Sequence, residues 1–235
     1  MTDAAGSAPV AADSPLRFEP IRKTLLWGFV KNVSGFLCTV FFELKVYGIY
    51  NIPRAGGALI LSNHQSYLDP IVISVRLDRP MSYMAKAPLF KNKYFGWFIR
   101  GLNAFPVEQG AGDIGAVKES IARLQRGQML NVFPEGSRTQ DGEIAPLEKG
   151  VGLLLRRARV PVIPVVIDGS FEAWPKRRKF QRPHKIRVAI GPPMNELWKL
   201  DRDQIMAKID TTLHQMFDDL QAGKIPPSPP RPRGR

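Results

Sequence analysis

The 235 residues carry 44% hydrophobic and 23% charged side chains, an ordinary globular composition at the length of about one domain with appendages, which excludes a large multidomain machine and wholesale disorder. Lys and Arg outnumber Asp and Glu by 34 to 21, a formal net charge of +13, which implies an anionic partner: nucleic acid, a phosphate-bearing substrate or an acidic lipid surface. A single cysteine, Cys38, and three histidines exclude an intrachain disulfide and a Cys/His zinc framework, and suit a reducing compartment.

Residues 1–20 are rich in Ala, Ser and Pro without an apolar period, and are expected to form a loose tail. Asp3 and Asp13 precede the first apolar run, where a secretory signal would carry positive charge. Residues 21–44 follow as an amphipathic membrane-associating helical segment. Its apolar stretch, Leu25 to Phe42, holds Trp27, Phe29, Phe36, Phe41 and Phe42 but is interrupted by Lys31, Asn32 and Ser34. A spanning helix needs about 20 mostly apolar residues, so the segment reads as a helix lying in a membrane interface with Arg22, Lys23 and Lys31 near anionic headgroups. A helix packed on the domain's own core fits the same periodicity.

Residues 45–222 form the main domain. Ala58 to Leu61 reads as extended, Ile71 to Leu77 as helical, and Met81 to Met84 and Ala104 to Val107 as extended. Asp113 can cap a helix with Ile114, Val117, Ile121 and Leu124 on one face and Gly127 at its end. Met129 to Phe133 has the character of a buried strand, Val151 to Arg157 of a helix, and Val162 to Ile167 and Ile186 to Ile190 of strands. Asp201 and Gln204 form a capping box before a stripe of Ile205, Ile209, Leu213 and Phe217. This alternation predicts an α/β fold, a single domain with a central mixed sheet flanked by helices. Residues 223–235, with Pro226, Pro227, Pro229, Pro230 and Pro232, form a Pro/Arg-rich, polyproline-like tail.

Two segments carry candidate chemistry. In Asn63-His64-Gln65-Ser66-Tyr67-Leu68-Asp69-Pro70, His64 and Asp69 are five residues apart, which on a regular helix means about 140° of rotation and keeps them separated. Pro70 favours a non-helical Asp69 and a turn that folds it back toward His64. A carboxylate on one imidazole nitrogen fixes the tautomer and leaves the other nitrogen to accept a hydroxyl proton. Equally, Asp69 can be the N-cap of the next helix and His64 an ordinary loop residue. In Phe133-Pro134-Glu135-Gly136-Ser137-Arg138-Thr139, Gly136 allows a tight backbone, the hydroxyls donate, and Arg138 offers a planar fork for phosphate oxygens. An ordinary polar turn with a solvated arginine has the same composition.

Other signatures are weaker. Gly110-Ala111-Gly112-Asp113-Ile114-Gly115 fits a dinucleotide fingerprint, but Pro106 interrupts the preceding strand and a Gly-rich turn capped by Asp113 accounts for it. No Gly-x-Ser-x-Gly elbow, Walker loop or Cys-x-x-Cys occurs. The basic run from Lys176 to Arg187 has only Phe180 as a stacking group and matches no nucleic-acid module, so a solvated or lipid-facing surface is expected there and no nucleic-acid partner.

The His64–Asp69 and Glu135–Arg138 segments, in this order and separation, resemble the glycerophospholipid acyltransferase family, in particular the 1-acylglycerol-3-phosphate (lysophosphatidate) acyltransferases. Lys86-Ala87-Pro88-Leu89-Phe90 with Asn103-Ala104-Phe105-Pro106-Val107 resembles the family's second block. Lys149-Gly150 and Val160-Pro161-Val162-Ile163-Pro164 resemble its later ones, so the likeness runs from about Val46 to Ser170. The resemblance implies that His64 and Asp69 are catalytic and that Glu135, Gly136, Ser137 and Arg138 hold the acceptor's phosphate. It also implies further substrate contacts from Asn63, Ser66, Lys86, Phe105 and Pro164. The expected reaction moves a fatty acyl group from acyl-CoA or acyl carrier protein to the free hydroxyl of lysophosphatidate. It needs no metal and no cofactor beyond the acyl co-substrate, and runs at the cytoplasmic face of a membrane on a peripheral or monotopic enzyme. Asn103 stands where the family commonly has glycine, and Gln109 where it has an arginine credited with acceptor contact. Lys86, Lys91 and Lys93 are candidates for the missing charge. Another acceptor, such as glycerol 3-phosphate or a different lysolipid, is the alternative within enzymes, and a non-catalytic lipid- or nucleic-acid-binding protein the alternative outside them.

Overall fold

A computed structural model describes residues 23–108, 114–148 and 150–225. The tail of residues 1–20, Gln109, the turn Gly110–Asp113 with its cap, Lys149 and most of the Pro/Arg-rich tail lie outside the described residues.

Strand formation follows the short apolar runs. Among the described residues, β1 (Lys45–Tyr47), β2 (Ala58–Ser62), β3 (Met81–Lys86), β4 (Ala104–Val107), β5 (Met129–Val132), β6 (Val162–Asp168) and β7 (Arg187–Ile190) form one sheet in the order β1-β7-β6-β2-β5-β3-β4. All neighbours pair in parallel except β6 with β7, so the sheet is mixed, as the alternation of elements implied. Every residue of β2 is buried, as expected of a central strand covered on both faces. Leu59 and Leu61 enter one core with Leu130, Val166 and Leu213, whereas Ala58 and Ile60 enter the other with Val72, Ile167 and Phe42.

The first of these cores lies under α4 (Ile114–Gln125), α5 (Gly150–Ala158) and α7 (Arg202–Gln221). The capping box of α7 forms as expected, with Asp201 accepting from the Gln204 N–H and the Gln204 side chain accepting from the Asp201 N–H. The second core lies under α1 (Leu25–Phe42) and α2 (Asp69–Ser74). A short helix, α6 (Ser170–Ala173), follows β6, and α3 (Lys93–Gly101) connects β3 to β4. The sequence pattern gave no sign of α3 or of β1.

The second helix begins at Asp69 and ends at Ser74, not over Ile71 to Leu77. Pro70 takes the second helical position, where its missing N–H costs nothing, so Pro70 does not keep Asp69 out of the helix. Pro164 sits inside β6 without breaking the sheet. The pairing of β6 with β7 begins only at Val165, and the Pro164 carbonyl accepts from the Gly191 N–H at 2.8 Å.

The five strands β2 to β6 run in one direction, opposite to β1 and β7, and point their C-terminal ends to one edge, where β2, β5 and β6 release the loops that carry His64, Glu135 to Arg138, and Ser170. Loops at this edge are the usual place for ligands in open α/β sheets.

Candidate active site

The loop leaving β2 is pinned before it reaches His64. The Asn63 side chain donates to the Ile167 carbonyl at 2.9 Å and accepts from the Ile167 N–H at 2.7 Å, continuing the β2–β6 pairing beyond the strand with an amide side chain. Gln65 donates to the Gly142 carbonyl at 2.6 Å. With both neighbours fixed, the His64 imidazole stacks on Phe133 at 3.8 Å between centroids, the ring planes nearly parallel at 13°.

Asp69 is fully buried, and its carboxylate gathers four donors. Oδ2 accepts from His64 Nδ1 at 2.8 Å, from the Gln65 N–H at 2.6 Å and from the Ser66 N–H at 2.7 Å, while Oδ1 accepts from Ser170 Oγ at 2.6 Å. The tight turn from Gln65 to Leu68 brings the acid back onto the imidazole, as the dyad reading required. The Nδ1–H donates to Asp69, since an acceptor faces it, and Nε2 remains the basic nitrogen. The imidazole side chain is 19% exposed, open enough to meet a substrate.

Ser170 is a site residue that the sequence reading missed. It lies one residue beyond Gly169, whose φ of +87° is left-handed and whose added Cβ would collide with the Lys185 carbonyl oxygen. Only glycine fits that approach, and it turns the chain from β6 so that the buried Ser170 hydroxyl reaches Asp69.

The second segment behaves differently from its expected role in one respect. Glu135 is turned inward and uses both carboxylate oxygens within the protein. Its Oε1 accepts from the His64 N–H at 2.6 Å and its Oε2 from the Ala145 N–H at 2.8 Å, and the residue is buried. A carboxylate aimed at phosphate would repel it, whereas here the acid ties the two loops together. The return contact is the Thr139 N–H donating to the His64 carbonyl at 2.8 Å. Burial pushes the Glu135 carboxyl up from 4.5 to about 7, against the lowering effect of the two N–H donors, with the Asp69 and Asp141 charges adding to the rise. The Thr139 hydroxyl, donating to Asp141 at 2.6 Å, holds that carboxyl below the ordinary range.

Gly136, at φ +68°, and Ser137 are exposed at the turn. Arg138 lies with its guanidinium over the exposed Tyr67 ring at 3.4 Å, and Tyr67 in turn tilts against Trp174 at 5.3 Å. The Nη1 of Arg138 is buried and has no hydrogen-bond partner among the described residues. A stacked, immobilised guanidinium with unmatched N–H donors is suited to a phosphate oxygen. Tyr67, inside the first motif, was not singled out from the sequence, although an aromatic beside an arginine loop is a readable signal.

The remaining sequence candidates separate from the site. Asn63 and Ser66 are buried and spend their polar atoms internally, Ser66 Oγ donating to the Trp174 carbonyl at 2.9 Å and accepting from the Leu68 N–H. Phe105 is core, covered by the Arg123 guanidinium at 4.5 Å, and Pro164 is buried in the sheet. Asn63 and Ser66 hold the loop that carries His64, whereas Phe105 and Pro164 are packed in the interior. Lys86 is exposed at the end of β3, on the same sheet edge as the two loops. Asn103 has φ +69°, a left-handed geometry that asparagine tolerates better than most residues. Its occurrence where the family commonly has glycine is thereby explained. Among the described residues no group of three or more His, Cys, Asp or Glu could hold a metal ion.

The family model for acyltransferases matches residues 43–168, more than half of the sequence, and spans both loops. The chain belongs to the acyltransferase family. This family member is 27% identical over 199 residues to the 1-acyl-sn-glycerol-3-phosphate acyltransferase of Bacillus subtilis, covering 83% of its own length and 97% of the relative's. It is 29% identical over 154 residues to the protein of the same name from Pseudomonas aeruginosa, covering 64% of its own length and 59% of the relative's. It spans about half, 51%, of the chloroplastic LPAT1 of Arabidopsis thaliana. The crystal structure of the 1-acyl-sn-glycerophosphate (LPA) acyltransferase PlsC from Thermotoga maritima superposes with a TM-score of 0.72 at 26% identity, covering 83% of this acyltransferase-family chain and 80% of that one.

Proposed function

We propose that this protein transfers a fatty acyl group from an acyl thioester, on coenzyme A or an acyl carrier protein, to the free hydroxyl of lysophosphatidate. The observation that carries the reading is the His64–Asp69 pair, in which a fully buried carboxylate with four donors orients a partly exposed imidazole. Four relatives cited above or in the solved structures bear names for this acylation.

In this mechanism the acceptor's phosphate rests on Arg138 and its hydroxyl on His64 Nε2. The nitrogen takes the hydroxyl proton as the oxygen attacks the thioester carbonyl. Collapse breaks the carbon–sulfur bond, and the leaving thiolate takes the proton back from His64. The imidazolium formed in between is stabilised by Asp69. No enzyme acyl intermediate is required, and holding the two substrates together replaces a bimolecular encounter.

The site is served by a membrane face. α1 is 18 residues long with a mean hydropathy of 1.5, and at 1.5 Å per residue it reaches about 27 Å, close to a bilayer core of about 30 Å. Two features favour its lying on the membrane. Cys38 and Phe42 are buried in the domain, and Arg76 donates to Thr39 Oγ1 at 2.8 Å. At 100° per residue, exposed Leu25, Phe29, Val33, Phe36, Leu37, Val40 and Phe41 fall within an arc of about 160° on the opposite side. The enzyme is thus read as monotopic, on the cytoplasmic face.

Thiol release from an acyl thioester, measured across lysophosphatidate, glycerol 3-phosphate and other lysolipids, tests the reading. Release stimulated chiefly by lysophosphatidate is expected. Stimulation by another acceptor alone would reassign the substrate, and the absence of release with every acceptor would leave a binding protein.

A further inference from the structure

The membrane reading above rests on α1, but α1 is not the only outward-facing apolar surface on that side of the sheet. Helix α3 leaves its largest side chains uncovered. Tyr94 is 84% and Trp97 68% exposed. At 100° per residue, Arg100, Lys93, Trp97 and Tyr94 follow one another over an arc of about 120°, all exposed. Leu89, in the 3-10 turn just before the helix, and Lys91 extend the same exposed surface.

This surface is braced by local contacts. Asn92 caps α3 by accepting from the Phe95 N–H at 3.0 Å. Gly96 packs so closely on the Phe90 backbone that an added Cβ would lie 2.9 Å from its carbonyl oxygen, and Arg100 covers the Phe90 ring at 4.7 Å. It also adjoins the α1 surface. Gly101 closes α3 against the side chain of Leu26, where a Cβ would meet Cδ2 at 2.7 Å. Leu25 and Phe29, at the start of the exposed α1 arc, are 95% and 68% exposed.

We propose that α3 is a second membrane-seating element, whose Trp97 and Tyr94 enter the headgroup region of an anionic bilayer while Lys91, Lys93 and Arg100 meet lipid phosphates. The occupant follows from composition. Tryptophan and tyrosine, apolar in body with one polar atom, favour the lipid–water boundary. Lysine and arginine beside them lay their stems along apolar surface and keep their charges at the headgroups. Tyr94 and Trp97 stand together with Leu89 as an exposed apolar patch rimmed by cations, the kind of surface that marks an interaction site, and the neighbouring α1 face is the surface proposed above to enter lipid. Two contacts joined through Leu26 and Gly101 would fix the rotation of the domain about α1.

The inference rests on the membrane reading, so its test includes α1. The full chain and two double variants, Tyr94→Ser with Trp97→Ser and Phe29→Glu with Phe36→Glu, are sedimented with vesicles of phosphatidylcholine alone or mixed with phosphatidylglycerol. The α3 variant should lose about ten- to a hundredfold in partitioning, and should keep its turnover of a short-chain, water-soluble lysophosphatidate. A second readout places an environment-sensitive dye on Tyr94→Cys, with Cys38 buried, and compares it with the same dye on Asp203→Cys in α7. Only the first should shift to the blue on adding anionic vesicles. Unchanged partitioning of the α3 variant, or an unshifted dye at position 94, with loss of binding in the α1 variant, would overturn the α3 assignment alone. Unchanged binding of both variants would overturn the membrane reading itself.

Discussion

The peptide N–H of His64 donates to Glu135 Oε1 at 2.6 Å. The two motif loops are therefore joined by a buried acid that also holds the Ala145 N–H. The position of the imidazole depends on the second loop as well as on Asp69.

Because Glu135 titrates near 7 when folded and near 4.5 otherwise, the native state takes up a proton between those values that the unfolded chain does not. The stability this group contributes is complete below about 4.5 and is lost as the pH rises through about 7. Glu135→Gln cannot titrate there and also turns an amide donor toward a peptide N–H. Thermal unfolding of both proteins should show the advantage of the native residue shrinking between about pH 5 and about pH 8, and a constant difference would contradict the assignment.

Arg138 lies on Tyr67 with Nη1 unmatched. Arg138→Ala should raise the acceptor KM about ten- to a hundredfold, the value of one or two charge-assisted hydrogen bonds. Tyr67→Ala should act in the same direction and more weakly, since it frees the guanidinium without removing it. Steady-state kinetics with each substrate varied in turn checks both, and an effect confined to the acyl donor would assign the loop to that substrate.

Ser170 touches neither substrate in this account and is a positioning residue. Removing its hydroxyl leaves Asp69 Oδ1 without its donor, so Ser170→Ala should lower kcat about tenfold with both KM values unchanged, and Ser170→Thr should restore part of the rate. Parallel changes in KM and kcat would indicate a general structural defect instead.

Much of this was legible in the sequence, and the gaps have physical causes. The strand cores and the α7 capping box rest on local rules and appear in the structure, and the His64–Asp69 contact forms as well, but with Asp69 inside the helix that the Pro70 rule placed it outside. Helix α3 is only nine residues long, about two and a half turns, too short a run for a helical period to stand out in the sequence. β1 has three residues, too few to show alternation. Ser170 and the true partners of Glu135 depend on strands brought side by side, which no spacing along the chain encodes. Glycine-like behaviour at Asn103 was visible only once its φ was known.

The central claim is that His64 accepts the acceptor hydroxyl's proton. The direct measurement is thiol release from an acyl thioester with saturating lysophosphatidate, comparing the native protein with His64→Ala, alongside binding of both proteins to lysophosphatidate-containing vesicles. A fall in turnover of about two to four orders of magnitude with vesicle binding retained is the expected result. Turnover preserved in His64→Ala would contradict it.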